Sequence, residues 1–295
     1  MRTLEKHPAI MIVIGILGIS FSAIFVKYSK GPSLLTAGYR LFFTSIFLTP
    51  VVLGKKKYRK ELFQASIHDI LLCAMSGIFL ALHFVFWFES LTHTSVASST
   101  AIVCTEVIWV ALGYRFFLKG HLSKLVILSI TISFLGSILI GASDYHMTGL
   151  HLYGDLLALA AAVFVAVYTL IGGVIRKHMT TNVYTYIVYF FCSISLLITI
   201  LIRNISFLGY GISPIIVGIL LSVFSTILGH SIFSWCLKYF SPAFVSASKL
   251  CEPFVASFFA LFLFQEIPGI LQIVGGVITV GGVLLYSYIE IKKET

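Results

Sequence analysis

The sequence predicts an all-α membrane protein with ten transmembrane helices arranged as two inverted five-helix repeats. Three observations support this prediction: the apolar composition, a series of apolar segments of membrane-spanning length, and a second half that echoes the first. Hydrophobic residues make up 59% of the 295 residues and charged residues only 11%, and the mean hydropathy is +1.03. A soluble domain carries about 25% charged residues, so this chain has too little polar surface to cover a core of its size.

Ten apolar segments of about 20 residues, the length that crosses a bilayer, lie between short connections. The predicted spans are residues 8–27, 33–53, 68–89, 94–117, 122–141, 153–175, 182–202, 213–236, 243–264 and 268–289. No soluble domain and no low-complexity segment is predicted between them. The first apolar segment is long enough to span the membrane and no Ala-x-Ala pattern follows it, so it is predicted to be a retained helix, not a signal peptide.

The basic residues of the connections predict the orientation of the spans. Ten spans place both termini on one side, and most of the 20 Lys and Arg residues fall on that side: Arg2, Lys6, Lys55, Lys56, Lys57, Arg59, Lys60, Arg115, Lys119, Lys124, Arg176, Lys177, Lys238, Lys292 and Lys293. Only Lys27, Lys30 and Arg203 fall on the other side. The positive-inside rule therefore predicts cytoplasmic termini, and we expect a bacterial cytoplasmic (inner) membrane. Because the net charge of +9 follows the topology, it does not indicate a nucleic-acid partner.

The second half of the chain echoes the first at an offset of 146 residues. Identical pairs include Glu106 with Glu252 and Gly136 with Gly282. The glutamate pair carries the most weight, because the chain has only 11 acidic residues. Five spans per half is an odd number, so the halves enter the bilayer from opposite sides. Such inverted repeats build many secondary transporters, which bind substrate near the midplane. The predicted repeats are residues 1–141 and 142–295.

Two long segments resemble a known family, the EamA-type drug/metabolite transporter superfamily. They are "ALHFVFWFESLTHTSVASSTAIVCTEVIWVALGYRFFLKG" (81–120) and "SPAFVSASKLCEPFVASFFALFLFQE" (241–266), and the resemblance extends over nearly the whole chain as two EamA repeats. It implies transport of amino acids, nucleotide-like metabolites, cations or drugs through a central cavity, often by proton coupling or exchange. Val107 replaces the family's proline near the middle of helix 4, and Gly120 replaces the acidic residue that often ends it. Helix 4 is therefore expected to be straighter than helix 9.

Charged residues inside the predicted spans indicate a substrate site, because charge is expensive in hydrocarbon and usually faces a partner or a water-filled cavity. Glu106, near the centre of helix 4, is predicted to bind a cationic group or a proton, with a structural role as the alternative. Lys249 and Glu252 are one turn apart, so they form either a satisfied ion pair or a switch opened by substrate or a proton. Pro253 removes the helical donor to the Lys249 carbonyl, which predicts a hinge and an exposed polar backbone atom.

Aromatic residues and histidines form a second group of candidates. The family resemblance includes His83 and Trp87, which are predicted to line the cavity. Trp109 lies one turn after Glu106 and could stack over a cationic substrate group. Tyr168 follows the small-residue run "ALAAAVFVAVY", which favours close helix packing. For each of them ordinary packing is the alternative.

Two further residues complete the predicted site. Arg40 is predicted to bind an anionic group or to meet Glu106, and the alternative is that it snorkels to the outer membrane surface. His230 in helix 8 is predicted to take part in proton coupling or gating, with a packed histidine as the alternative.

These residues predict a secondary active transporter for a small amine-bearing or zwitterionic, amino-acid-like metabolite, working by alternating access with proton coupling or exchange. Glu106 would hold the ammonium group and Lys249 or Arg40 the carboxylate. Glu252 would carry the proton or release Lys249, while an unpaired Glu106 is expected to be the better proton carrier. One alternative is an exporter of cationic drugs or toxic metabolites. Two alternatives from other classes are an ion channel, for which two glutamates and no filter-like loop give little support, and a membrane sensor or assembly subunit that transports nothing.

No enzyme activity is expected, because the chain lacks His-Glu-x-x-His, Gly-x-Ser-x-Gly and Walker sequences. The five cysteines are irregularly spaced within apolar segments, so neither a disulfide framework nor a metal site is predicted. The predicted partners are a small-molecule substrate, the lipid bilayer and protons. A homodimer is left open, and no cofactor is expected.

Overall fold

The structure, a computed structural model, describes residues 8–94, 99, 102–142, 151–265 and 269–292. Every regular element within these ranges is helical, as the sequence predicts. The α-helices are α1 (Pro8–Val26), α2 (Ser33–Gly54), α3 (Lys56–Gln64), α4 (Ile67–Ser90), α5 (Glu106–Phe116), α6 (Lys124–Ala142), α7 (His151–Ile175), α8 (Thr181–Ile202), α9 (Ser213–Leu220), α10 (Ser231–Cys236), α11 (Pro242–Ser248), α12 (Glu252–Phe264) and α13 (Ile270–Lys292). A π-helix, Leu221–His230, joins α9 to α10, and a 3₁₀ helix, Lys249–Cys251, joins α11 to α12.

Eight helical segments of the described chain are long and apolar enough to cross a membrane, and Lys124–Leu139 is a shorter apolar helix. Within the membrane the backbone must satisfy its own hydrogen bonds, so apolar segments of this length become helices. The helix ends lie within about three residues of the predicted spans, inside the usual boundary error. The predicted span 94–117 is only partly described, so the count of ten spans stays a prediction.

Large apolar side chains are exposed along these helices. Leu71 in α4 and Leu284 in α13 are 61% and 63% exposed, and Val277 is 65% exposed. A soluble protein rarely exposes extended apolar patches, whereas a membrane protein presents them to lipid. The exposed surface of these helices therefore fits a multi-pass membrane protein.

Helix α3 is an element that the sequence analysis treated as part of a connection. Its sequence, KKYRKELFQ, consists mainly of residues with unbranched side chains that favour helix. The Glu61 carboxylate accepts hydrogen bonds from the Thr180 backbone N–H at 2.6 Å and from the Thr180 hydroxyl at 2.7 Å. Glu61 therefore fixes α3 against the start of α8.

The described helices form two compact units, each containing chain from both halves of the sequence. Unit 1 comprises residues 1–85 and 171–239, and unit 2 comprises residues 86–170 and 240–295. In unit 1, α2 packs against α8 and α9, and α1 packs along the π-helix. In unit 2, α6 packs along α13, and α11 packs against α5.

Glycines allow the close approach of α6 and α13 in unit 2. A Cβ at Gly136 would come within 2.6 Å of the Gly275 carbonyl oxygen, and a Cβ at Gly282 would lie 2.7 Å from the Ser133 nitrogen. The Thr279 hydroxyl donates to the Ser133 carbonyl across this contact at 3.3 Å. Small residues let membrane helices approach in this way, so Gly136 and Gly282, identical residues 146 apart, have matching packing roles.

Two helical interruptions precede the two glutamates that match at this offset. A turn at Cys104 and Thr105 comes directly before α5, which begins at Glu106. The absence of a proline therefore does not make the fourth predicted span, residues 94–117, an uninterrupted helix, and its straightness relative to the ninth span, residues 243–264, stays a prediction. Around this turn the backbone makes i→i+3 hydrogen bonds, such as that from Thr105 N–H to the Ile102 carbonyl at 2.9 Å. A break of this kind needs no proline, because in 3₁₀ geometry each N–H donates to the carbonyl three residues earlier instead of four.

The interruption before Glu252 is the 3₁₀ helix that contains Lys249. The Glu252 N–H donates to the Lys249 carbonyl, an i→i+3 bond that replaces the one removed by Pro253. The 3₁₀ helix lies at the position of the predicted hinge, and bending at this position stays a prediction. The predicted exposed carbonyl is wrong, because tightening the last turn provides that oxygen with a donor.

Candidate functional site

Glu106 occupies the first position of α5, directly after the turn at Cys104 and Thr105. The first N–H groups of a helix have no intrahelical acceptor, and their partial positive charge favours a nearby carboxylate. The residue is only 7% exposed. The turn therefore places a buried carboxylate at the start of a helix.

The Glu106 carboxylate lies between a cation and a hydroxyl within unit 2. Lys249 Nζ lies 2.8 Å from Glu106 Oε1, and the Thr169 hydroxyl donates to the same oxygen at 3.0 Å. Their elements come from three parts of the chain: α5, the 3₁₀ helix before α12, and α7. Both contacts end at Oε1, so Oε2 accepts no hydrogen bond within the described part of the chain.

The pair corrects the expectation that Glu106 is unpaired. The local i,i+3 rule pointed Lys249 towards Glu252, but α11 packs against α5 and the long lysine side chain spans the gap between them. The side chains of Lys249 and Glu106 are 13% and 9% exposed. In a buried pair each ion compensates the charge of the other, so Glu106 has a counterion that the sequence analysis did not assign to it.

The other candidates of unit 2 lie on the same or neighbouring elements. Trp109 in α5 is 37% exposed, and the Trp87 ring lies 4.9 Å from the Phe88 ring. Tyr168 is buried in α7 next to Thr169. The predicted contact of these three aromatic residues with a substrate stays a prediction.

Glu252 and Pro253 form the first two positions of α12. Both are half-buried, and Glu252 starts its helix as Glu106 starts α5. The predicted roles of Glu252 in proton coupling and of Pro253 in gating stay predictions.

In unit 1 the most buried ion is Arg40, which is 1% exposed. Its Nε donates to the Thr226 hydroxyl at 2.7 Å and its Nη1 to the Ser22 hydroxyl at 3.2 Å. The alternative that Arg40 snorkels to the membrane surface is therefore wrong, because hydroxyls on α1 and the π-helix hold it inside the unit. Its predicted contact with Glu106, a residue of the other unit, stays a prediction.

Phe84 contacts all three candidates of unit 1. The Arg40 guanidinium lies 4.8 Å from the ring centroid, within cation–π range. The His83 and His230 rings lie 5.2 Å and 6.0 Å from the same ring. His230 ends the π-helix, a rare geometry that is frequent at functional sites. Arg40, His83 and His230 therefore surround one phenyl ring.

Sequence analysis missed Thr169 and the π-helix. Thr169 follows the candidate Tyr168, but a lone threonine in an apolar helix usually bonds to its own helix, so it carried no distinguishing pattern. The five cysteines are free, and the described residues contain no group of three or more His, Cys, Asp or Glu that could hold a metal.

The proteins to which this chain is similar are transporters. The model of the EamA-like transporter family matches residues 7–142 and 152–288. An uncharacterized transporter of Clostridium kluyveri is 24% identical over 250 residues, covering 82% of this chain and 80% of that protein. The uncharacterized transporter YxxF of Bacillus subtilis is 28% identical over 256 residues, covering 83% and 76%.

A third relative and a solved structure extend the comparison. An uncharacterized transporter of Archaeoglobus fulgidus is 23% identical over 262 residues, covering 84% of this chain and 86% of that protein. A crystal structure of another protein superposes with a TM-score of 0.78 at 15% identity, covering 97% of this chain and 98% of the other. At that identity the superposition shows a shared fold.

Proposed function

Because the chain belongs to the EamA-like transporter family, we propose that it is a secondary active transporter for a small zwitterionic, amino-acid-like metabolite. The observation that carries this proposal is the buried Glu106–Lys249 pair with its Thr169 hydroxyl. The transporters similar to this chain support transport as the activity, and the pair supports the choice of substrate class.

Charge balance favours a zwitterion at this pair. A bound amino acid would place its ammonium group at Glu106 Oε2, which accepts no hydrogen bond within the described residues, and its carboxylate at Lys249. One ion pair would become two, and the site would keep zero net charge. A cationic amine would leave one uncompensated positive charge and an anion one negative charge, and burying an unpaired charge costs several kcal/mol.

The same geometry supports a mechanism of alternating access. Substrate binding would replace the direct contact between Glu106 and Lys249 and so separate α5 from the 3₁₀ helix. The interruptions before Glu106 and Glu252 give both helices a point at which to bend. We assign gating to Pro253 and proton coupling to Glu252 and His230. Exchange of one substrate for another would restore the pair without a proton.

We also propose ten spans in two inverted repeats, residues 1–141 and 142–295, in a bacterial cytoplasmic membrane with both termini cytoplasmic. The two matches to the family model, residues 7–142 and 152–288, support this division. The distribution of Lys and Arg supports the orientation.

The test is uptake into proteoliposomes with matched compounds of three charge types. An α-amino acid, the amine obtained by removing its carboxylate, and the acid obtained by removing its amine share one side chain. Each is offered with and without a pH gradient, over a panel of side chains. We expect uptake of amino acids and little uptake of the matched amines and acids.

Preferential uptake of the amines would support the exporter of cationic compounds in place of this proposal. Absence of uptake across the panel, by correctly inserted protein, would contradict the proposed substrate class and favour a protein that does not transport.

A further inference from the structure

A cavity of about 500 Å³ lies within unit 1 among the helix ends that carry its basic residues. This volume is within the range of about 300–1,000 Å³ typical of small-molecule sites. Its lining includes Lys57, Arg176, Lys177 and Lys238 and contains no acidic residue. None of these residues belongs to the Glu106–Lys249 site, so the cavity needs a separate explanation.

Arg176 is the most informative residue of this cavity. It is 3% exposed, and its Nε donates to the Ser234 carbonyl at 2.9 Å. Its Nη1 is buried and has no hydrogen-bond partner within the described part of the chain, where no carboxylate lies within ion-pair distance either. Burial lowers the pKa of Arg176 to about 10, so the guanidinium still carries its charge at neutral pH. A buried, uncompensated charge is costly unless an anion neutralises it.

The start of α8 adds a second attraction for an anion. Thr181 and Asn182, the first two residues of this helix of 22 residues, line the cavity. Their backbone N–H groups have no intrahelical acceptor, and the helix dipole favours negative charge there.

Two acidic side chains that contact residues of the cavity lining already have partners. The Glu61 carboxylate accepts the N–H and the hydroxyl of Thr180, and Asp69 lies 3.0 Å from His178 Nε2. Both carboxylates are therefore engaged at the edge of the cavity, and neither one lines it.

We propose that this cavity is an anion site that takes a phosphate group, with Arg176 at its base and Lys57, Lys177 and Lys238 at its rim. The phosphate belongs either to an anionic phospholipid headgroup or to a soluble phosphate. Basic pockets between membrane helices bind phospholipid headgroups by this chemistry. The basic connections that form the rim are those predicted to be cytoplasmic, on the side of a membrane where anionic lipids attract Lys and Arg.

The test uses the full chain in phosphatidylcholine nanodiscs, with two arms that separate the sources. One arm adds phosphatidylglycerol and measures its dissociation constant by native mass spectrometry. The other arm adds inorganic phosphate or glycerol 3-phosphate and measures binding by calorimetry. The pocket variant is Lys57→Gln with Lys238→Gln, and the control is Lys56→Gln with Lys60→Gln. All four lysines are exposed, and both variants lose two charges.

We expect one saturable site in at least one arm. The pocket variant is expected to bind about thirtyfold more weakly, the effect of two lysines near a phosphate, and the control to bind as the wild type does. Saturable phosphatidylglycerol binding of this pattern assigns the site to a lipid headgroup, and saturable phosphate binding assigns it to a soluble phosphate. Absence of saturable binding in both arms would overturn the proposal, as would equal weakening by the pocket and control variants. Arg176→Gln is a further test where that variant folds, and it should weaken binding at least as much.

Discussion

Breaking the Glu106–Lys249 pair is the perturbation that most sharply tests how unit 2 is stabilised. Glu106→Gln removes the Glu106 counterion from the buried lysine ammonium, while the new amide can still accept the Thr169 hydroxyl. Lys249→Met leaves the carboxylate buried with only the Thr169 hydroxyl and the start of α5 to stabilise it. Combining the two substitutions removes both charges.

The expected magnitudes follow from burial. The two side chains are 9% and 13% exposed, so the pair belongs with buried pairs, for which loss of one partner costs about 3–5 kcal/mol. An exposed pair contributes only about 0–1 kcal/mol. Replacing both ions by uncharged residues of similar volume is often neutral or stabilising. Each single variant should therefore be clearly destabilised, and the double variant should be close to the wild type.

The assay is equilibrium unfolding of wild type, both single variants and the double variant under one condition. Glu89→Gln serves as control, because this acid of the same unit is 28% exposed in its contact with His93. Its loss should change the free energy of unfolding by less than about 1 kcal/mol. If the single variants were as stable as this control, or if their effects simply added in the double variant, the buried pair would not exist as described.

Three further predictions concern packing, the Arg40 cluster and a helix cap. Gly282→Ala should lower the free energy of unfolding by about 1–3 kcal/mol, because its Cβ would meet the backbone of Ser133. The control Gly281→Ala, whose Cβ would have nothing within 4 Å, should raise the free energy of unfolding by about 0.5–1 kcal/mol. Equal effects of the two substitutions would contradict the close packing. Arg40→Lys cannot keep both hydroxyl contacts and should cost about 1.5–3 kcal/mol in the same unfolding assay, whereas an unchanged midpoint would refute the network. Ser66→Ala removes the hydroxyl that accepts the Asp69 N–H at 3.1 Å, so it should cost about 1 kcal/mol and speed amide exchange in the first turn of α4, and unchanged exchange would argue against the cap.

Most helix positions could be predicted from hydropathy, because a lipid environment leaves an apolar segment no alternative to the helix. Helix α3 was missed because it is polar and exposed, so it has no apolar periodicity to indicate it. The π-helix Leu221–His230, which packs against α1 and α2, has no sequence pattern to indicate it either.

Of the candidate site, only the position of Glu106 could be predicted from the sequence, and hydropathy was not the reason. Glu106 stands out because an intramembrane acid is rare, and this alone identified it. Its partner was not predictable, since the i,i+3 rule considers only one helix whereas Lys249 reaches a neighbouring one. The turn before Glu106 was missed because proline was the only break that the sequence could indicate.

The central claim is that the Glu106–Lys249 pair is the substrate site of a transporter. The most direct measurement is uptake of a transported amino acid by wild type, by Glu106→Gln, by the double variant Glu106→Gln with Lys249→Met, and by the Glu89→Gln control. The account predicts that both variants of the pair lose uptake by at least about a hundredfold, the effect of removing a buried charge partner from a binding site, although the double variant folds stably. The control should keep full uptake. Wild-type uptake by the stable double variant would contradict the claim.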